Sequence, residues 1–158
     1  MKTISIKACV LAVGVAVFGI GAHGTAADPK PRPSKPADPN AIVALYLGQT
    51  WTWSKGGSYW GQGGKFAAIW EDQPVADGKW YVTTRGTLCY EAVWLTPESP
   101  TNDEITKLCW QHVADEDGQI WQKHHENNDW YIMDVAEDLT RGNTIQKELA
   151  KRRRAVGL

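Results

Sequence analysis

Residues 48–70 read GQTWTWSKGGSYWGQGGKFAAIW, and this stretch decides the fold class. Trp51 and Trp53 are two residues apart, so in a strand their side chains point to the same face. The final FAAIW repeats that spacing, and the glycines between the two aromatic groups lie where a chain must reverse. The stretch therefore predicts three strands, at Gln49–Trp53, residues 58–60 and Lys65–Trp70.

The rest of the domain repeats the same alternation of strand and turn. Turn signals such as Asp77-Gly78 and Asp117-Gly118 separate runs of alternating polar and apolar residues at intervals of roughly 8–14 residues. We predict an all-β fold: a small antiparallel meander of about seven or eight strands that closes as a barrel or sandwich. A short helix precedes it, starting at Asp38-Pro39 and ending at Gly48, and should pack on the sheet as a lid or plug.

The chain divides by composition into four segments. Residues 1–27 carry two lysines, an apolar run and small residues at a cleavage position, which is the order of a secretory signal peptide. We expect a periplasmic or secreted protein; an uncleaved N-terminal anchor is the alternative. Residues 28–40 are rich in proline and predict a spacer. Residues 41–138 form the β domain, and residues 139–158 form a basic helical tail.

Two cysteines follow the signal, and both lie in successive predicted strands. An oxidising compartment favours a disulfide between Cys89 and Cys109. A metal pair or two free thiols are the alternatives.

Charge is distributed unevenly along the chain. Residues 41–140 hold six Lys or Arg against fifteen Asp or Glu, a net charge of −9, whereas residues 141–158 have a net charge of +5. An acidic body argues against nucleic-acid binding. The basic tail could contact an envelope or membrane surface, or fold back on the acidic domain, through Lys151, Arg152, Arg153 and Arg154.

The residues with metal-binding or catalytic chemistry form only a weak pattern. His112, His124, His125 and Glu126 could ligate zinc, but adjacent histidines point to opposite faces of a strand. No motif of a serine hydrolase, a zinc protease or a phosphate loop is present. We therefore expect no cofactor and favour a non-enzymatic protein. A hydrolase or metal enzyme that uses these residues or Asp129 is the alternative.

Nine tryptophans are many for 158 residues. They either fill the core of a small barrel or line an aromatic pocket for sugars or lipids. The candidate pocket residues are Trp51, Trp53, Trp60, Phe66, Trp70, Trp80, Tyr90 and Trp94.

Several motifs together resemble a known family. The pattern L-Y-x-G-x-T-W-x-W-x-x-G-x-x-Y at residues 45–59, GKWYVTTRGTLCYEAVW at residues 78–94 and KLCW at residues 107–110 are similar to domain-of-unknown-function family 995. DGQIWQK and the WYI that begins at Trp130 extend the resemblance across residues 41–142. Trp60 and Trp110 stand where that family would have phenylalanine. The resemblance implies a small exported alphaproteobacterial protein with a disulfide, and it transfers no catalytic residues.

Three functions remain open from the sequence. The first is a periplasmic, non-enzymatic barrel that binds an apolar, glycan-like or lipid-like ligand or serves the cell envelope. The second is the hydrolase or metal enzyme described above. The third is an inhibitor or a module that binds a protein partner through its loops. The sequence does not determine an oligomeric state.

Overall fold

The structure is a computed structural model that describes residues 29–71, 74–123, 129–133 and 138–158. The predicted signal peptide at residues 1–27 lies outside the described residues. In the described part, no helix is both long and apolar enough to cross a membrane.

Ten strands and two α-helices make up the described fold. The strands are β1 Ser34–Pro36, β2 Gln49–Trp53, β3 Gly56–Trp60, β4 Lys65–Trp70, β5 Val75–Val82, β6 Thr87–Leu95, β7 Ile105–Asp115, β8 Ile120–Lys123, β9 Trp130–Ile132 and β10 Leu139–Arg141. The helices are α1 Pro39–Tyr46 and α2 Gln146–Ala155.

The sheet is an antiparallel meander with one strand added at its beginning. Its order is β10-β2-β3-β4-β5-β6-β7-β8-β9, and β1 pairs with β7 beside this path. The sheet curls into a half-barrel. The predicted all-β class is confirmed, as are the bounds of β2 and β4, whereas β3 begins two residues earlier than predicted.

Small side chains lie between two indoles in one row across the inner face of the sheet. Trp51 pairs with Ser58, Ser58 with Ala68, Ala68 with Ala76, and Ala76 with Trp94. Directly paired residues share a face, so this row has an indole at each end and small side chains between them. The small residues leave space for the rings that fill the concave side of the half-barrel.

Helix α1 covers part of that concave side, as the sequence predicts. The Asp38 side chain accepts a hydrogen bond from the Asn40 amide at 2.8 Å, which caps the first turn. Ile42 and Tyr46 are fully buried in the main core. Gly48 follows with a φ of 75°, a conformation that glycine adopts without steric cost, and it directs the chain into β2.

The proline-rich segment differs from the predicted spacer in its second half. Residues 34–36 pair with β7, and Ala37 is buried. Gly86 explains the close fit, because a Cβ added there would lie 2.3 Å from the Ala37 carbonyl oxygen. Pairing with a strand edge supplies hydrogen-bond partners that a proline-rich sequence cannot supply for itself.

The predicted helical tail of residues 139–158 also needs correction at its start. Leu139–Arg141 forms β10 on the edge of β2, and the helix begins only at Gln146. Leu139 is buried opposite Trp51, so packing across the sheet overrides the helical pattern. Helix α2 then packs on the convex face through Leu149 and Val156.

Cys89 and Cys109 are directly opposite each other in β6 and β7, and they form a disulfide. The bond lies on the convex face, because the alternate β6 residues Leu88, Tyr90 and Ala92 belong to the main core on the other face. The predicted pairing of Cys89 with Cys109 is therefore confirmed.

Candidate functional site

A cavity of about 580 Å³ opens on the concave side of the half-barrel. Its lining is mostly aromatic and comes from β2, β4, β6, β7, β9 and the adjacent turns. The lining residues are Trp51, Trp53, Ser54, Trp70, Pro74, Tyr90, Trp94, Leu108, Trp110 and Tyr131. We call this space the aromatic cavity.

Several neighbouring rings in the aromatic cavity stand at steep angles to each other. Trp51 lies 6.3 Å from Trp53 with an interplanar angle of 80°, and 5.3 Å from Trp110 with an angle of 70°. Trp53 and Trp70 are 5.8 Å apart at 59°. The two contacts of Trp51 are edge-to-face, an arrangement that is favourable between aromatic rings, and all three contacts hold the walls at fixed orientations.

The structure divides the eight predicted pocket residues into two groups. Five line the aromatic cavity: Trp51, Trp53, Trp70, Tyr90 and Trp94. The other three, Trp60, Phe66 and Trp80, do not line it and are buried in the core, to which Trp51 and Tyr90 also belong. Trp60 lies 5.1 Å from Phe66 and 5.9 Å from Trp80, so these rings fill space beneath the cavity. Core filling and pocket lining are thus both roles of the tryptophans.

Sequence reasoning missed half of the lining. Leu108 and Trp110 alternate on the inner face of β7 and pair with Tyr90 and Leu88, so the strand pattern carried a signal for them. Tyr131 belongs to a three-residue strand, and no local pattern marks such a short strand as part of a cavity wall. Ser54 and Pro74 lie in turns, whose positions depend on the curl of the sheet.

A buried chain of hydrogen bonds runs from the aromatic cavity into the core. The Tyr131 hydroxyl donates to the Gln122 side-chain oxygen, and Gln122 Nε2 donates to the Tyr46 hydroxyl at 3.1 Å. That hydroxyl in turn lies 3.1 Å from His112 Nε2. Gln122, Tyr46 and His112 are all buried, so the chain satisfies polar groups that burial would otherwise leave unpaired.

Burial also decides the charge states within this chain. It raises the pKa of Tyr46 and of Tyr131, and the Asp138 carboxylate raises both further. Burial lowers the pKa of His112 to about 4. All three side chains are therefore neutral at pH 7, and the polar network is uncharged.

Helix α2 holds one rim of the aromatic cavity through Arg152. Its guanidinium donates to the carbonyl oxygens of Trp70 at 3.0 Å, Pro74 at 3.3 Å and Glu71 at 2.7 Å. Glu148 accepts from the same guanidinium at 2.9 Å. Because Trp70 and Pro74 line the cavity, the helix fixes the position of this wall.

The basic tail thus folds back on the acidic domain. Arg153 pairs with Asp77 of β5 and so joins the helix to the domain. Lys151 lies 3.7 Å from Glu148 of the same helix. Arg154 is exposed. Contact between these four cations and an envelope surface stays a prediction.

Of the four metal candidates, the structure describes one, His112. His112 lies in the core with Nε2 directed at Tyr46, whereas His124, His125 and Glu126 lie outside the described residues. Asp129 precedes β9. Across the described ranges, no group of three or more His, Cys, Asp or Glu side chains is placed to hold a metal ion.

Comparisons with known proteins give one family match to report. The family described as "Protein of unknown function (DUF995)" matches residues 14–153, a span that includes all ten strands. No match was found among curated proteins or among solved structures. The chain therefore belongs to the DUF995 family of proteins of unknown function.

Proposed function

We propose that this protein is a non-enzymatic, exported domain that binds an apolar, glycan-like or lipid-like ligand in the aromatic cavity. One observation carries the proposal: a cavity of about 580 Å³ has seven aromatic residues among its ten lining residues. Sites for small molecules are typically concave, mostly apolar and roughly 300–1,000 Å³ in volume.

The aromatic residues differ in how deeply they are buried, and this difference supports the proposal. Trp60, Phe66 and Trp80 fill the core beneath the cavity. Trp53 and Trp94 line the cavity and are only partly buried beside that core. Trp70 is 37% exposed, which is a high value for a large apolar side chain. Exposed aromatic side chains beside a cavity are typical of recognition sites.

Two further features support export. The N-terminal 27 residues have the composition of a signal peptide. The disulfide on the convex face is a bond that persists in oxidising compartments such as the periplasm. A ligand in that compartment would be a component or a precursor of the envelope, or a small molecule taken up from outside.

Binding of a neutral aromatic dye tests the proposal directly. N-phenyl-1-naphthylamine fluoresces strongly in apolar sites, so titration of the purified protein should give a saturable rise in emission. Trp53→Ala and Trp94→Ala should each weaken binding by about tenfold, because each removes one wall. Trp121→Phe is the matched control, since Trp121 bonds to Asp115 outside the cavity and its loss should leave the affinity unchanged.

Envelope glycans and lipids then replace the dye in a displacement assay. Displacement by one of these classes identifies the natural ligand type. Absence of saturable dye binding by the unmodified protein, together with no displacement or fluorescence change by any glycan or lipid, would overturn the proposal.

A further inference from the structure

We propose that a groove on the convex face of the sheet binds an acidic oligosaccharide through its carboxylate groups. The groove has a volume of about 600 Å³, and both cysteines of the disulfide are part of its lining. It shares no residue with the aromatic cavity. We call it the convex groove. The inference goes beyond the proposed function, because it concerns a different site and a charged ligand.

The lining of the convex groove is cationic. Lys30, Arg85 and Lys107 contribute to it, and no Asp or Glu does. Lys107 lies 3.1 Å from Glu91, but Lys79 lies equally close to the other oxygen of that carboxylate, so two cations share one acid. Among the described residues, neither Lys30 nor Arg85 forms an ion pair. The groove therefore has positive charge that its own acids do not neutralise.

Aromatic rings hold two of these cations in position. The ammonium group of Lys107 lies 5.5 Å from the centre of the Tyr81 ring, and that of Lys30 lies 5.6 Å from the centre of the Trp130 ring. Both rings are part of the groove. Lys30 also lines a neighbouring groove with the acidic turn at residues 115–117. The contact with Trp130 nevertheless keeps its ammonium group at the convex groove.

A fixed turn presents the third cation, Arg85. The Thr83 carbonyl accepts from the Gly86 amide at 3.0 Å, and the Thr83 hydroxyl oxygen accepts from the Thr87 amide at 3.2 Å. Gly86 packs on Ala37 so closely that an added Cβ would lie 2.3 Å from the Ala37 carbonyl oxygen. Because the main chain of the turn is held in this way, a ligand that contacts Arg85 has to order only the side chain.

The length of the groove indicates an extended ligand. Lys107 and Val113 both line it and are six residues apart on β7, which corresponds to about 20 Å along a strand. The disulfide joins β6 to β7 across the floor. A single carboxylate or phosphate would contact one cation at a time, whereas an oligomer with several carboxylates could contact the separated cations together.

The uncharged part of the lining favours a sugar. Hydroxyl and amide side chains come from Tyr81, Thr83, Thr84, Thr87 and Gln111. At the disulfide, β6 is paired on both sides, with β5 and with β7, so its main chain is not available to an added peptide strand. Recognition therefore depends on side chains that bond to hydroxyl and carboxylate oxygens, and an acidic sugar chain is rich in both.

Two probes with the same sugar rings separate charge from shape. Trigalacturonic acid is a trianion at pH 7, and its trimethyl ester is neutral. Each is titrated into the purified protein by isothermal titration calorimetry. The acid should bind about tenfold more tightly than the ester, because only the acid forms charge-assisted hydrogen bonds. Raising the ionic strength should weaken only the acid.

Variants test the position of the site. Arg85→Gln and Lys30→Gln should each weaken binding of the acid by about threefold, and the double variant by about tenfold. Lys147→Gln is the matched control, since Lys147 is exposed on α2 and does not line the groove. Trp53→Ala should also leave the affinity for the acid unchanged, because Trp53 belongs to the aromatic cavity. The result is thus independent of dye binding there.

Three results would overturn the proposal. The first is equal affinity for the acid and its ester, or no binding of the acid. The second is unchanged affinity in the double variant, which would place any binding elsewhere. The third is equally tight binding of hexaglutamate, which would show that the groove recognises negative charge without the sugar.

Discussion

The hydroxyl of Tyr46 lies 3.1 Å from Nε2 of His112, and both side chains are buried in the core. Gln122 Nε2 donates to the same hydroxyl, so Tyr46 can use its own proton to bond a neutral imidazole. The contact joins helix α1 to strand β7 and thus holds the helix over the half-barrel. It also makes the charge state of one histidine important for the stability of the fold.

The burial of His112 predicts a loss of stability in mild acid. Burial lowers the pKa of His112 to about 4, whereas an unfolded histidine titrates near 6.5. Between these values the unfolded chain binds the additional proton, so the free energy of unfolding falls as the pH drops from 6.5 to 4. The full loss is on the order of 3 kcal/mol.

Urea denaturation across this pH range measures the effect. His112→Gln should be less stable than the unmodified protein at pH 7, but its stability should depend much less on pH between 6.5 and 4. A variant with the same slope as the unmodified protein would show that another group causes the acid sensitivity.

Two buried tryptophans of the core should lose different amounts of stability when each is replaced by phenylalanine. Trp60 is fully buried, and its indole nitrogen has no hydrogen-bond partner among the described residues. Trp80 Nε1 donates to the Gly61 carbonyl at 2.9 Å. Trp60→Phe loses ring area but removes an unpaired buried donor, which costs about 1–3 kcal/mol when present. Trp80→Phe loses ring area and also leaves a carbonyl without its partner.

We therefore expect Trp80→Phe to lower the free energy of unfolding by at least about 1 kcal/mol more than Trp60→Phe. Thermal unfolding of both variants gives the comparison. A larger cost at Trp60 would mean that ring volume, and not hydrogen bonding, governs these positions. The family resemblance implies phenylalanine at position 60, and this agrees with the small cost that we expect for Trp60→Phe.

Removal of Arg152 should loosen one rim of the aromatic cavity. Arg152→Ala removes the hydrogen bonds to three carbonyl oxygens and to Glu148, so we expect a loss of about 1–3 kcal/mol in the free energy of unfolding. Arg154→Ala is the control at an exposed position of the same helix and should change stability by less than about 0.5 kcal/mol.

Quenching of tryptophan emission by acrylamide supplies a second readout. It should increase in Arg152→Ala, because Trp70 belongs to the wall that Arg152 holds. Unchanged stability and unchanged quenching would contradict the role given to this arginine.

The disulfide should contribute strongly to stability, since it links two central strands. It closes a loop with a sequence separation of 20 residues, for which a loss of about 3 kcal/mol is expected on removal. The double variant Cys89→Ala/Cys109→Ala should unfold at a correspondingly lower urea concentration. Reduction of the unmodified protein should reproduce that shift, and reduction of the double variant should have no effect. Equal stability of the oxidised protein and the double variant would contradict this expectation.

Local patterns were sufficient for much of the fold. The period of two in Gln49–Trp53 and Lys65–Trp70 gave strands with the correct bounds, and Cys89 and Cys109 fell on facing positions of neighbouring strands. The short strand β10 was missed because its partner, β2, is distant in the sequence. A three-residue strand of this kind depends on tertiary pairing and has no periodic signal of its own.

The site was harder to predict than the fold, for a physical reason. Trp60 and Trp94 both point to the concave side, yet only Trp94 lines the cavity. The difference depends on which part of the sheet α1 covers and on how strongly the strands curl. Alternation along a strand identifies the face of a residue, but it does not say how much of that face is covered.

Crystallography with a heavy-atom ligand tests the central claim most directly. A crystal soaked in 1-bromonaphthalene places an anomalous scatterer on a neutral aromatic molecule that the aromatic cavity could hold. The account predicts one strong bromine peak between Trp53 and Trp94, with the Trp51 and Trp110 rings in their present positions. A structure with no bromine at this site, in which the indoles have collapsed together and filled the space, would contradict it.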